Sequence, residues 1–319
     1  MIAASEPVRA RPSLVRATLV ATALWVASPP PAVASVELLL SGAETVYDRV
    51  ADAIQAQIQR LDDEFDHTLI RRRLDATAQR DDVSVRVAIG LAACKAAVRA
   101  RARPAVLCAL VPKADFMALA HDTPKAPTVS AIYLDQPIAR QFSLARALVP
   151  NASQAGLLAG PRLQQSRGAI ISAARAAGFS LNLLTAQDER TAAAAIQPLV
   201  TDSELILAVY DPTVLTPTSA KWLLHLAYKR QRPVIGFSRA YVDAGAIAAV
   251  FSTPEQIGTQ AARAIAPFLR RQGSGLPPPS YPSDFAVAVN RPVAAALGLA
   301  PPSDEQLMRE VVAQLKAAL

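Results

Sequence analysis

Short β-branched apolar runs return along this chain at intervals filled by helix-like segments, and that rhythm is what most narrows the fold. The runs predict strands over Val36–Leu40, Val83–Ile89, Ala105–Val111, Ser130–Leu134, Ala155–Ala159, Leu205–Tyr210, Val234–Phe237 and Ile247–Phe251, each beside a turn residue, a charge or a proline. Between them, Thr45–Leu61 sets Val46, Val50, Ile54, Ile58 and Leu61 on one helical stripe, and Arg167–Ala177 and Ala220–Arg230 alternate apolar and basic faces. Strands and helices in alternation build parallel sheets covered on both faces. A single sheet of this many strands would be large, and 319 residues suffice for two lobes with a core each. The polar HDTPKAP of His121–Pro127 interrupts the rhythm, and the turn-rich Arg270–Pro282 interrupts it again. The fold class expected is α/β, with two doubly wound parallel-sheet lobes.

The first residues read differently. Arg9, Arg11 and Arg16 precede the uncharged run Ala17–Ala27, then three prolines, then Ala32-Val33-Ala34 before Ser35. This is the pattern of a secretory signal peptide, residues 1–34, cleaved after Ala34. An apolar run of about 11 residues is too short to span roughly 30 Å of hydrocarbon as a helix. With no cysteine near the cleavage point there is nothing to carry a lipid, so the mature chain is expected free in the periplasm and not as a lipoprotein. Cleavage lowers the net charge from +7 to +5 by removing three arginines and Glu6. That excess is modest. Arg71-Arg72-Arg73 reads as a solvated face and the Arg99, Arg101, Arg103 series as a helix end, so no nucleic-acid partner is expected.

Export would permit a disulfide between Cys94 and Cys108, yet a helix packed on a sheet usually holds backbones farther apart than the roughly 4.4–6.8 Å a bridge needs. A bridge and two buried thiols both remain open, the geometry arguing for thiols. His67, His121 and His225 lack a second ligand at metal spacing, so no metal and no cofactor is expected. Gly156–Pro161 lacks the Lys-Ser/Thr of a phosphate-binding loop. The one enzymatic candidate is Gly236-Phe237-Ser238-Arg239-Ala240, which nearly spells the elbow of a serine hydrolase. Its fifth residue is wrong, and no histidine follows Ser238 to deprotonate it. A hydrolase using Ser238 stays as the alternative from another class.

Asp115, Asp135 and Asp211 fall near the carboxyl ends of expected strands, the edge where open α/β sheets bind ligands. Several segments resemble a known family in the right order. They are Ala131–Pro137 (AIYLDQP) with Arg140-Gln141, Ala227–Ala246 (AYKRQRPVIGFSRAYVDAGA), Phe251–Gly258 (FSTPEQIG) and Val287–Leu299, within a match running from about Ser84 to Leu299. The chain thus resembles the substrate-binding proteins of ABC transporters, whose best-understood members capture aromatic amino acids such as tryptophan and tyrosine. The resemblance implies the type I periplasmic-binding fold, two lobes joined by a hinge with three crossings, closing on a ligand. It divides the chain into one lobe from 36–126 plus 253–281 and another from 127–252 plus 282–319.

It also implies a function: an exported monomer that captures a small organic solute, amino-acid-like or aromatic, and delivers it to a membrane permease. A sensory binding protein without its own permease is the nearest variant, and neither reading makes the chain an enzyme. Leu91 stands where the family commonly has a hydroxyl, removing one donor to a ligand carboxylate. The loops expected to line the cleft are Gly90-Leu91, Val111-Pro112, Asp135-Gln136, Tyr210-Asp211 and Ser238-Arg239. Each has a blander role to weigh: Asp135 as helix cap ahead of Pro137, Ser238 as a turn, Tyr210 as a core ring, Arg239 as a surface charge.

Overall fold

A computed structural model of the chain describes residues 34–61, 67–74, 83–100, 104–123, 128–270 and 275–317. Of the leader expected over residues 1–34, all but Ala34 lies outside them, as do Arg101, Arg103 and most of the HDTPKAP segment.

The first sheet is built from β1 (Ala34–Leu40), β2 (His67–Arg73), β3 (Val85–Ile89), β4 (Ala105–Val111) and β5 (Val129–Tyr133), with helices α1 (Thr45–Leu61), α2 (Leu91–Arg99) and α3 (Lys113–Asp122) between them. Its spatial order is β2-β1-β3-β4-β5, and every pairing is parallel. The central strands are apolar nearly throughout because both faces are covered. Val36, Leu38, Leu40, Val85, Val87 and Ile89 meet Val50, Ile54 and Ile58 of α1 on one face. Leu39, Ala88, Val106 and Cys108 meet Cys94, Phe116 and Leu119 on the other. On the second face the buried Arg86 Nε donates to Glu37 Oε2 at 2.5 Å, so a charge in the sheet interior has its counter-charge.

The second sheet follows from α4 (Ile138–Leu148), β6 (Gln154–Ala159), a 3-10 helix at Pro161–Ser166, α5 (Arg167–Ala176), β7 (Ser180–Thr185), α6 (Glu189–Thr201) and β8 (Leu205–Leu207). It continues with α7 (Pro217–Lys229), β9 (Val234–Gly236), α8 (Arg239–Asp243), β10 (Ala248–Phe251), α9 (Pro254–Leu269), β11 (Ala286–Val289), α10 (Arg291–Ala296) and α11 (Asp304–Ala317). The order β11-β10-β9-β8-β6-β7 is parallel except for β11, which runs antiparallel to β10. Two α/β lobes, each with its own sheet, are therefore present.

Chain segments do not stay in one lobe. Ile257, Ala261, Ala262 and Ile265 of α9 are buried in the core of the first sheet, against α1, whereas Leu307 and Val311 of α11 are buried in the core of the second. The chain accordingly passes between lobes three times, at residues 134–137, at 252–253 and near 280–285.

Four expectations need correction. Val129–Tyr133 hydrogen-bonds to β4, so the first passage follows Tyr133 and the second lobe does not begin at 127. The arginine triplet is an edge strand rather than a mere solvated face, with Arg71 and Arg73 tied to Asp48 of α1 and Arg71 also to Asp52. Val46 is 38% exposed and off the buried stripe. Cys94 and Cys108 form a disulfide, with Cα atoms 5.4 Å apart. The tight turn at Gly90, with φ at 91°, starts α2 directly off the end of β3 and lays its second turn against the neighbouring strand.

Candidate ligand-binding cleft

Between the lobes lies a cleft of ≈ 520 Å³. Its first-lobe wall is made by Pro112, Lys113, Ala114 and Met117. Leu110, with φ at 57°, sits in a register shift between β4 and β5, and this bulge turns the end of β4 so that α3 starts at the cleft. The opposite wall is Arg162, Leu163, Gln165, Ser166, Ala169 and Ile170 with Tyr210, Phe237 and Ser238. Leu134, Asp135, Gln136, Ser252 and Tyr281 close it at the passages between lobes.

Those passages are stitched to one another. Gln136 Nε2 donates to Ser252 Oγ at 2.8 Å, Ser252 Oγ donates to the Asp284 carbonyl at 2.6 Å, and Arg140 reaches Gln136 Oε1 at 2.6 Å and the Pro282 carbonyl at 2.9 Å. Each crossing thereby touches the other two. The buried Gln141 donates to the carbonyls of Ala208 (3.0 Å) and Gly236 (2.9 Å), which fixes the strand ends that carry Tyr210 and Phe237. These two rings meet edge to face at 5.7 Å.

Much of the wall is apolar. Met117 is 46% and Leu134 40% exposed, so two large apolar side chains stand open to the cleft. Polar groups gather beside them. Lys113 Nζ donates to Tyr281 Oη at 3.0 Å and lies 4.8 Å from that ring's centroid, and the bond to Tyr281 raises its pKa. Asp135 Oδ2 accepts from the Lys113 backbone N–H at 2.5 Å. Burial pushes the Asp135 carboxyl above its ordinary range, the Lys113 N–H opposing the rise. Burial likewise raises the Tyr210 phenol, which also feels the charges of Arg162, Asp115 and Asp135. Arg162 pairs across the cleft with Asp115 of α3.

Of the residues singled out in the sequence, the cleft brings together Pro112, Asp135, Gln136, Tyr210 and Ser238. It does not include Gly90, Leu91, Asp211 or Arg239. The Gly90 N–H is spent on the Ala109 carbonyl at 2.8 Å, and Ser41 Oγ accepts from Ala93 N–H at 2.9 Å, so that turn is internally satisfied. Asp211, 1% exposed, accepts from the backbone N–H groups of Arg162 and Thr213, both at 3.1 Å. Arg239 is exposed and pairs with Asp243 at 2.9 Å. Asp135 caps no part of α4, whose first residue follows Pro137; its carboxylate serves the start of α3 instead. Ser238 caps α8 by accepting from Tyr241 N–H at 3.2 Å. Sequence reasoning missed Lys113, Met117, Leu134, Arg162, Phe237 and Tyr281. Only Lys113, Leu134 and Phe237, each adjoining a chosen strand-end residue, carried a signal that could have found them.

Residues 75–310 match the family described as ABC transporter substrate binding protein. The chain belongs to that family. No curated protein sequence matches it significantly. Among solved structures, the ligand-free, open form of a substrate-binding protein with adhesive properties from Clostridium difficile is 17% identical, with a TM-score of 0.68 over 86% of this chain and 97% of that one. A domain from Streptococcus pneumonia in complex with L-Trp is also 17% identical, with a TM-score of 0.59 over 87% and 98%. An arabinose-binding protein from Geobacillus stearothermophilus is 10% identical, with a TM-score of 0.52 over 82% and 99%. These likenesses establish the fold. Among the described residues of this substrate-binding protein, no cluster of His, Cys, Asp or Glu could hold a metal and no helix is long and apolar enough to cross a membrane.

Proposed function

We propose that this substrate-binding protein is exported and that it captures, between its lobes, a small organic ligand with a flat apolar body and a polar end. The observation that carries the reading is the composition of the cleft. Met117, Leu134, Tyr210 and Phe237 offer an apolar and aromatic surface, while Asp135, Lys113 and Gln136 offer charge and hydrogen bonds next to it. The volume of ≈ 520 Å³ suits a ligand of amino-acid or aromatic-acid size. The L-Trp held by the structural neighbour from Streptococcus pneumonia supports an aromatic amphiphile, and family membership supports delivery to a membrane permease. Export is supported by the leader at residues 1–34 and by the Cys94–Cys108 bridge, a bond that persists in oxidising compartments.

The test uses protein recovered from the exported fraction, whose first residue should be at or near Ser35; a start that retains Arg9–Trp25 removes the export reading. Amino acids, aromatic acids, purines and small amines are then screened by thermal shift. A ligand at about 100 times its dissociation constant should stabilise the chain by roughly 2.7 kcal/mol. Tyr210→Ala should weaken the hit at least tenfold, a loss of about 1.4 kcal/mol. A screen without hits, or a hit bound equally by Tyr210→Ala, overturns the assignment.

A further inference from the structure

Asp115 and Arg162 belong to different lobes, one in the first turn of α3 and the other in the 3-10 helix after β6, yet their side chains are hydrogen-bonded across the cleft. Both ends are firmly mounted. The Arg162 backbone N–H is held by the buried Asp211 carboxylate, which fits only because residue 160 is glycine: a Cβ there would stand 2.4 Å from Asp211 Oδ2. Asp115 lies where the N-terminal end of a helix favours a carboxylate, and that helix start is tethered to the first passage by Asp135. Neither partner can follow the other if the lobes separate. The pair is also partly shielded, its side chains 14% and 34% exposed, so solvent and salt weaken it less than they would a surface pair.

We infer that Asp115 and Arg162 form a latch whose closure free energy adds to that of the ligand, so that they help set affinity as positioning residues. The inference rests on the two-lobe capture reading above. A two-state protein binds with an apparent affinity reduced by the fraction of molecules not in the competent form. Removing the latch therefore opens the ligand-free protein and weakens capture together.

The experiment measures the distance between spin labels on Lys95→Cys in α2 and Gln197→Cys in α6, in the mature chain, whose own two cysteines are bonded to each other. Asp115→Asn and Arg162→Gln should each lower the ratio of closed to open molecules about fivefold without ligand. The swapped double variant Asp115→Arg with Arg162→Asp should recover the parent distribution. Whichever ligand the thermal screen yields should bind both single variants more weakly and the swap more nearly as the parent. Unchanged distances in both single variants, or a swap as open as they are, overturn the latch. A screen without hits counts against ligand capture alone, because the distances are read without ligand.

Discussion

Asp135 lies just past the end of β5 with its carboxyl withdrawn from water and the Lys113 backbone N–H aimed at it. Its pKa is raised from 3.8 chiefly by burial. Between 3.8 and the raised value the folded chain holds a proton that the unfolded chain has lost, so this group's contribution to stability falls as pH rises through that window. Above the window the ionised carboxyl bears its full desolvation cost. Asp135→Asn keeps an oxygen for the Lys113 N–H without the charge. Its melting temperature should therefore gain on the parent as pH rises above about 4 and then level off. Scans of both proteins from about pH 3 to pH 7 check this; a gap that is constant with pH refutes it. The strand-end rule made Pro112, Asp135 and Tyr210 legible, because it asks only where strands stop. It failed at Asp211, whose position beside Tyr210 is right but whose carboxylate turns inward to two N–H groups, a direction set by space at Gly160. Met117 and Arg162 were beyond reach: nothing in a lone sequence separates an exposed methionine from a core one, or brings together charges 47 residues apart.

The contact between α1 and α9 explains a glycine within the FSTPEQIG segment. A Cβ at Gly258 would lie 2.6 Å from the Val50 carbonyl oxygen and 2.6 Å from Ala53 Cβ, so the helices approach as closely as they do only because that atom is missing. Gly258→Val should lower stability by about 2 kcal/mol or more through overpacking, read as a fall in melting temperature; an unchanged melt would mean the helices can part at no cost. The disulfide joins α2 to β4 across a separation of 14 residues, a loop for which about 3 kcal/mol is expected. Reductant should lower the melting temperature of the parent and leave a Cys94→Ala, Cys108→Ala variant unchanged; equal responses would exclude the bond. Buried central strands were legible as apolar runs. The missed strands, β2, β7 and β11, are all at sheet edges. There a strand needs only one neighbour, and in HTLIRRR or SLNLLT polar residues break up the apolar run that would betray it. The bridge was misjudged because the spacing of a packed helix and sheet is an average, and the turn at Gly90 brings these two closer.

At the scale of the molecule, two sheets and a cleft between them follow from the rhythm of strands and helices together with the family segments, whereas the place of the first passage did not. A proline-bearing interruption resembles a boundary, yet β5 comes after it and completes the first sheet. What holds the halves in register is the side-chain stitching of the three passages through Gln136, Ser252 and Arg140. Those passages also govern the order in which the chain can mature. The first sheet is laid down by residue 133, but one of its faces has only α1 to cover it until α9 at 254–269 exists, and the second sheet still lacks β11 and α11 at that point. Neither half can finish while the last fifth of the chain is unmade. A polypeptide emerging from a ribosome thus lacks either finished core for most of its synthesis, which would suit the export proposed above, since a narrow translocation channel passes only chains that have not yet folded.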